Sequence, residues 1–238
     1  MIASFISRKN QLPWLLVAFL VLCPVFVMAS DDPGYDFETV LFGDCQVGNL
    51  NPPVAPPVPG IFTGEEEYAY HIFPAEQCDC SEDGFILENI TQFLFFDDLQ
   101  VPANLLVQGA LLKADFDPSS GCWVPGPILF EGPQITFTIV DNGPAVIQVP
   151  TDGAPALPLA DHYFLVMRYL GGAEAMLVVD DLPMPCTEFI NRGSGWEDLF
   201  GRDKSGGGKV IVFGDIVCSP TSVPNTESTW GGIKSLYK

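Results

Sequence analysis

Short apolar segments separated by turn residues constrain the fold of this chain more than any other feature. In "QITFTIV" (134–140), Ile135, Phe137 and Ile139 alternate with polar residues, which is the period of a strand with one buried face. Turn clusters such as "DPSSG", "DNGP", "TDGAP" and "SGGG" separate it from similar segments. Those segments are "YAYHIF" (68–73), "FILENITQFLFF" (85–96), "LLVQGALLKA" (105–114), "AVIQV" (145–149), "HYFLVMRYL" (162–170), "AMLVV" (175–179) and "KVIVFGDIV" (209–217). The pattern predicts an all-β fold, a jelly-roll-like antiparallel β-sandwich of about eight strands.

The first residues have the pattern of a secretory signal peptide. Arg8 and Lys9 precede the apolar run "WLLVAFLVLCPVFVMAS", which ends in small residues. We expect cleavage after Ala29, so that residues 1–29 are removed and the mature protein is secreted, with no remaining membrane span. An uncleaved anchor is the alternative, but Pro24 interrupts the run.

The cysteine count predicts a disulfide-stapled domain. Cys23 leaves with the signal peptide, and an even number in an exported chain indicates three disulfides. The six remaining cysteines are Cys45, Cys78, Cys80, Cys122, Cys186 and Cys218. We favour a Cys186–Cys218 bridge and the pairing of Cys122 with Cys78 or Cys80. A zinc site of Cys78, Cys80 and His71 is the alternative, disfavoured because thiols oxidise in that compartment.

Composition divides the mature chain into three parts. Residues 30–60 are an acidic lead followed by the Pro-rich linker "NPPVAPPVPG", which is alternatively a pinned edge of the sandwich. Residues 61–218 form the β-sandwich domain, for which 18 Phe and a hydrophobic content of 47% supply a core. Residues 219–238 are a linker and a C-terminal tag.

The net charge of the chain disfavours nucleic acid as a partner and favours a bound cation. The chain has 30 acidic and 10 basic residues, a net charge of −20, which repels nucleic-acid phosphates. In "ADFDPSSG", Asp115 and Asp117 stand two apart on a turn, a spacing that suits Ca²⁺ as a cofactor. A solvated turn begun by Asp117-Pro118 is the alternative. Asp180 with Asp181 is a second place for such a site.

Two tryptophans in loop-like contexts predict a ligand-binding surface. Trp123 lies in "GCWVPG" and Trp196 in "NRGSGWEDLF". A sugar packs its apolar face on an exposed aromatic ring, and nearby Asn191, Arg192 and Asp198 would bind its hydroxyl groups. We therefore expect a glycan or a surface protein as the ligand. The alternative is that both tryptophans cap the core.

Catalytic motifs are scarce in this sequence. Neither a nucleophile elbow, a metalloprotease helix motif nor a phosphate-binding glycine loop is present. The two histidines, His71 and His162, lie in strand patterns beside aromatic residues, which favours a structural role. We predict a binding or structural module rather than an enzyme. A secreted glycan-active hydrolase that uses a carboxylate pair is the alternative.

Several segments resemble uncharacterised secreted β-sandwich domains of bacterial surface proteins, including those named choice-of-anchor domains. The similar segments are "FLFF", "PGPILFEGP", "ITFTIV", "ADHYFLVMRYL" and "GSGWEDL", and the six cysteines depart from that pattern. The resemblance implies a non-catalytic extracellular module, often followed by a C-terminal sorting or anchoring segment. General jelly-roll carbohydrate-binding modules are similar at the level of architecture only.

The chain ends in "STWGGIKSLYK", which is basic and aromatic in an acidic protein. A short helix would place its apolar residues on one face. We predict a tail that docks on a sorting or assembly partner, through Trp230, Ile233, Lys234, Leu236 and Tyr237. A frayed end and a strand added to a sheet edge are the alternatives.

Overall fold

The computed structural model describes residues 44–51, 66–180, 182, 184–199 and 208–221. The predicted signal peptide, most of the acidic lead and Pro-rich linker, and the predicted docking tail lie outside these residues. Within the described ranges, the single helix is α1 (Pro74–Gln77), and no helix there is long and apolar enough to cross a membrane.

Twelve strands form two antiparallel sheets. They are β1 (Cys45–Gly48), β2 (Glu66–Ile72), β3 (Gly84–Phe96), β4 (Ala103–Asp117), β5 (Cys122–Ile139), β6 (Gly143–Pro150), β7 (Leu157–Pro158), β8 (Tyr163–Gly172), β9 (Met176–Leu177), β10 (Glu188–Asn191), β11 (Trp196–Asp198) and β12 (Val212–Ser219). Sheet I has the order β1-β12-β3-β6, and the short strands β7 and β9 also pair with β3. Sheet II has the order β11-β10-β2-β8-β4-β5.

The strand order is that of a jelly roll. When the eight principal strands β1–β6, β8 and β12 are counted in chain order, sheet I reads 1-8-3-6 and sheet II contains 2-7-4-5. This interleaving of the first and last strands is the double Greek key of the jelly roll. The predicted fold class is therefore confirmed, and the β10–β11 hairpin extends sheet II beyond it.

Alternation along the central strands builds the core between the sheets. On β8, Tyr163, Leu165 and Met167 face sheet I, and all three are at most 1% exposed. Phe164 and Val166 face the other way and are equally buried. Burial of each large apolar side chain contributes about 1.5–3 kcal/mol. The continuous apolar run of this strand is thus explained by burial on both faces.

The six cysteines form three disulfides, as predicted, but both favoured pairings are wrong. The bridges are Cys45–Cys78, Cys80–Cys218 and Cys122–Cys186. Cys218 lies opposite Phe85 in the β12–β3 ladder, which brings it to the segment that enters β3 and hence to Cys80. Because Cys78 and Cys80 are both oxidised, the zinc alternative is also wrong.

Element boundaries differ from the sequence prediction in three places. The sandwich begins before residue 61, because β1 pairs with β12 as an edge strand of sheet I. The strand predicted at 175–179 is reduced to the two residues of β9. β5 already begins at Cys122, and its three prolines are tolerated because it pairs only with β4 and forms an edge of sheet II.

Candidate ligand-binding face

The face of sheet II that points away from sheet I, here called the outer face, carries a second apolar cluster. Trp123, Val124 and Trp196 pack against this cluster and are themselves only partly buried. Its buried members are Ala69, Ala110, Leu112, Ala114, Phe164, Val166 and Phe189. Four strands, β2, β4, β8 and β10, contribute these residues. Residues that lie opposite each other on paired strands point to the same face of the sheet, and alternate residues along each strand do so too. An outer face of this kind is apolar enough to support aromatic side chains that contact solvent.

Three aromatic rings stack at one end of the outer face. The centroid of His162 lies 4.1 Å from that of Trp123, with 16° between the ring planes. It also lies 4.3 Å from the centroid of Phe73, with 10° between those planes. Two parallel rings at such distances must lie on opposite faces of the imidazole. His162 is therefore sandwiched, and a ligand that stacks here must use the outward side of Trp123 or Phe73.

The second histidine joins this stack through its edge. His71 Nε2 lies 3.1 Å from His162 Nδ1, and the two rings are nearly coplanar at 6°. Burial, and then the neighbouring His162, lower the pKa of His71 to about 4. Burial also lowers the pKa of His162, against the opposing charges of Glu76 and Asp161. At neutral pH both rings are uncharged, so that one donates the shared hydrogen bond and the other accepts it.

An exposed phenylalanine borders the aromatic stack. Phe116 is 54% exposed and meets Trp123 edge-on, with centroids 5.3 Å apart. The two residues face each other in the β4–β5 ladder. The neighbouring Cys122–Cys186 disulfide ties this end of the hairpin to the segment before β10. Covalent and ladder contacts together hold Trp123 in place.

A polar row crosses the outer face at its other end. The Arg168 guanidinium pairs with Glu67, at 2.6 Å between Nε and Oε1, and with Glu131. Asn191 Nδ2 donates to Glu67 Oε2 at 2.9 Å. Trp196 stands opposite Asn191 in the β10–β11 ladder, at the end of this row. The row combines an aromatic ring with both donors and acceptors.

The structure brings together only part of the predicted ligand-binding set. Asn191 and Trp196 are neighbours, and Asn191 Oδ1 accepts hydrogen bonds from the backbone of Gly193 and Gly195, which shapes the turn that carries Trp196. Arg192 instead pairs with Glu66, at 3.1 Å. Asp198 Oδ2 accepts a hydrogen bond from the Cys186 backbone N–H.

Trp123 does not belong to this group. It stacks on His162, whereas Trp196 lies in the row of Arg168, six residues further along β8. At about 3.3 Å per residue, the two tryptophans are roughly 20 Å apart along the strand direction. Trp123 and Trp196 therefore occupy two ends of one face rather than a single pocket, whereas Arg192 pairs with Glu66, whose parity faces sheet I.

The predicted calcium ligands have other contacts. The Asp117 carboxylate accepts hydrogen bonds from the backbone N–H and hydroxyl of Ser119 and from the Ser120 hydroxyl, and these hydrogen bonds lower its pKa to about 2. Asp115 Oδ2 lies against Gly126 of β5. No group of three or more potential ligand side chains occurs within the described residues. Calcium binding by Asp115 and Asp117 stays a prediction, and the turn alternative accounts for the contacts seen.

Asp180 serves to close a loop. Its carboxylate accepts hydrogen bonds from Asn49, Asn51 and the Lys209 backbone, so that the segment after β9 is fastened to both the β1 end and the entry to β12. Asp180 is 1% exposed. These contacts give Asp180 a structural role, while Asp181 lies outside the described residues and a cation site formed with it stays a prediction.

Sequence reasoning missed the residues that flank Trp123. The sequence pattern favours a structural role for the two histidines and gives no signal that Phe73 or Phe116 contacts a ligand. The segment "YAYHIF" does carry a signal for His71. This residue lies between Tyr70 and Ile72 on a strand, so its side chain points to the opposite face from theirs, which is the outer face. That His71 meets His162 depends on strand pairing, which periodicity does not reveal.

Comparison with known proteins identifies no family for this chain. No protein-family model matches it, and no curated protein matches it. A solved structure with some likeness contains the cysteine protease and lectin-like domains of Cwp84, a surface layer associated protein of Clostridium difficile. The match has a TM-score of 0.38 and 15% identity, and covers 65% of this chain and 32% of that one. This chain thus spans about a third of that structure, and a likeness at this level bears on neither ligand nor activity.

Proposed function

We propose that this protein is an exported, non-catalytic module that binds a ligand on the outer face of sheet II. The observation that carries the proposal is the partly exposed stack of Trp123, His162 and Phe73. Three disulfides accord with an oxidising compartment outside the cytoplasm. The setting is a cell surface or the extracellular medium.

A carbohydrate chain is the ligand that this chemistry favours. A pyranose ring offers an apolar face to an aromatic ring and hydroxyl groups to charged and amide side chains. Trp123 supplies the ring at one end, and the row of Trp196, Asn191 and Glu67 supplies both kinds of contact at the other. Because the two ends are roughly 20 Å apart, they would contact different units of an extended chain.

A glycan array probed with matched variants tests the proposal. Trp123→Ala removes the outward ring of the stack, and Trp196→Ala removes the ring at the polar end. Leu50→Ala is the control, since Leu50 is 50% exposed but lies next to sheet I. We expect the wild type and Leu50→Ala to bind the same glycans, and Trp123→Ala to bind them about tenfold more weakly, the loss of about 1.4 kcal/mol. The carbohydrate proposal is contradicted if the wild-type protein binds no glycan, or if Trp123→Ala binds glycans as tightly as the wild type does.

A protein ligand is the second candidate, favoured by the exposed side chain of Phe116 beside Trp123. Exposed apolar residues that border a partly buried cluster are typical of interaction surfaces. In that case Phe116→Ser would abolish capture of a surface protein while leaving the glycan array unchanged.

The hydrolase alternative receives less support from the outer face. It requires a pair of carboxylates free to act as acid and base or nucleophile. Glu67 and Glu131 are both engaged by Arg168. Incubation of the protein with any glycan that it binds, followed by an assay for new reducing ends, separates binding from hydrolysis.

A further inference from the structure

A small cavity lies among residues of both sheets beside β10. Its volume is about 10 Å³, and every residue that lines it is at most 9% exposed. The lining residues are Tyr68, Ala69, Tyr70, Gln92, Glu188, Phe189, Leu199, Val210 and Val212. Both sheets contribute to it, since Gln92 belongs to β3 and Glu188 to β10.

Two buried polar atoms at this cavity have no hydrogen-bond partner. They are Nε2 of Gln92, a residue with no exposed surface, and Oε2 of Glu188, which is 2% exposed. The opposite atom of each side chain is satisfied and fixes its orientation. Tyr169 donates from its hydroxyl to Gln92 Oε1 at 2.7 Å, and the Val210 N–H donates to Glu188 Oε1. Buried polar atoms are rarely left unpaired, because their loss of hydration is then uncompensated.

We propose that an ordered water molecule occupies this cavity and bridges Gln92 Nε2 and Glu188 Oε2. A cavity of this volume holds about one water, and a buried water needs two to four polar partners. Gln92 and Glu188 supply two of them. The hydroxyl-bearing Tyr68 and Tyr70 line the same cavity and are the candidates for the others.

The direction of the hydrogen bonds follows from the chemistry of the carboxyl group. Burial raises the pKa of Glu188 well above its ordinary value, which favours the neutral acid. In the neutral acid the proton lies on Oε2, because the Val210 N–H donates to Oε1. Oε2–H and the Gln92 amide N–H are then both donors, and the water oxygen accepts from both.

The water would link the two sheets at the strand that supports the polar row. Glu188 precedes Phe189 and Asn191 on β10, and those residues face outward. A bridge from β3 through the water to Glu188 therefore holds β10 against sheet I. Strand β10 has four residues, so each such contact forms a large part of its attachment.

A crystal structure of the wild-type protein at about 1.5 Å resolution tests the proposal directly. We expect a single peak of density about 2.6–3.2 Å from both Gln92 Nε2 and Glu188 Oε2. An empty cavity, or a Gln92 amide turned into direct contact with Glu188, overturns it. The wild-type result decides the question even when a variant fails to fold.

Two substitutions extend this test to solution. Gln92→Leu removes one partner of the water, whereas Glu188→Gln keeps an acceptor for Val210 and a polar atom at the cavity. We expect the peak to be absent in Gln92→Leu and present in Glu188→Gln. Hydrogen exchange at the Val210 amide should be faster in Gln92→Leu and near wild type in Glu188→Gln. The proposed bridge is contradicted if the Val210 amide exchanges at the same rate in both variants and the water peak is still present in Gln92→Leu.

Discussion

Two neutral histidines define the chemistry of the aromatic end of the outer face. His71 and His162 are the only histidines of the chain, and their rings hydrogen-bond to each other at 3.1 Å. A protonated ring in this pair would place a charge between Trp123 and Phe73 with a second imidazole beside it. Burial disfavours that charge, which explains the direction in which both pKa values move.

The His71 pKa predicts acid sensitivity that a single substitution should reduce. The ordinary His pKa is 6.5 and that of His71 is about 4, so the unfolded chain binds more protons between these values. The contribution of His71 is therefore complete above pH 6.5 and is lost as pH falls toward 4. We expect this loss to reach about 2–3 kcal/mol at about pH 4.5. Urea unfolding of wild type and His71→Gln at about pH 7 and about pH 4.5 measures it.

The comparison between the two proteins isolates the histidine. Protonation of surface carboxylates affects both alike, so the difference in their pH dependence reports on His71 alone. We expect His71→Gln to lose less stability than the wild type over this range. Parallel curves would show that the imidazole is protonated in the folded protein.

Asp117 offers a residue-scale test of the two interpretations of the "DPSSG" turn. The carboxylate accepts hydrogen bonds from Ser119 and Ser120, so Asp117→Ala should lower the melting temperature by loosening the β4–β5 turn. A solvated turn without a bound cation predicts that wild type and Asp117→Ala melt unchanged when EDTA is replaced by CaCl₂. A rise in melting temperature with calcium, seen in the wild type and absent from both Asp117→Ala and Asp115→Asn, would instead establish a calcium site.

At the scale of elements, periodicity predicted the long strands and missed the short ones. Strands β2, β3, β4, β6, β8 and β12 lie where alternating or continuous apolar runs placed them. Strands β1 and β10 have four residues each, too few for a period to show, and their neighbours in the sheet define them. The run "AMLVV" is apolar for a different reason, because four of its five side chains are buried while most of its backbone lies outside the ladders.

The disulfide connectivity, like the short strands, depends on contacts between distant segments. Cysteines far apart in sequence meet because β12 pairs with β3 and because α1 lies next to β1, and neither contact has a local sequence signal. The count and the compartment could be predicted from composition and the signal-like segment. The pairing required the sheet topology.

Each disulfide should stabilise the fold, but only one should affect the aromatic stack. Cys122–Cys186 closes 64 residues and Cys45–Cys78 closes 33, so loop entropy assigns both a contribution of about 4 kcal/mol. Trp123 follows Cys122 directly. We therefore expect the Cys122→Ala/Cys186→Ala variant to lose both stability and ligand binding. The Cys45→Ala/Cys78→Ala variant is the control, and it should lose stability alone.

Thermal unfolding and glycan binding at a temperature where both variants are folded check this expectation. If both variants bind as the wild type does, the disulfide has no role in holding Trp123. If both lose binding, the effect is global, and the proposed link between this bridge and the stack is wrong.

At the scale of the whole molecule, the candidate site combines two regions that sequence reasoning treated as one. Trp123 and Trp196 are both tryptophans in loop-like contexts, so the sequence assigns both to one ligand-binding surface. The register of β10 on β2 and of β2 on β8 separates them to opposite ends of the outer face. Residue type was thus predictable, whereas the shape of the surface depended on pairings between distant segments.

Net charge limits the ligands that such a face can accept. The chain carries −20, and Arg168, the cation of the polar row, is already paired with two carboxylates. A sulfated or uronic-acid glycan would approach a like-charged surface without a free cation in that row to receive it. Neutral chains meet no such barrier, and chains of amino sugars are attracted.

The array should therefore rank glycans by charge. We expect no binding to sulfated or carboxylated glycans at about 50 mM salt, where surface charges are poorly screened. An amino-sugar oligomer should bind more tightly than its N-acetylated form, and this advantage should shrink severalfold at about 500 mM salt, where the Debye length falls to a few Å. Glu131→Gln, which removes a carboxylate whose side chain is 45% exposed, should reduce the advantage, whereas Glu88→Gln on sheet I should not. The proposal that charge selects the ligand is wrong if the tightest ligand is a polyanion, or if salt leaves the preference for the amino sugar unchanged. Either result would show that the aromatic stack alone selects the ligand.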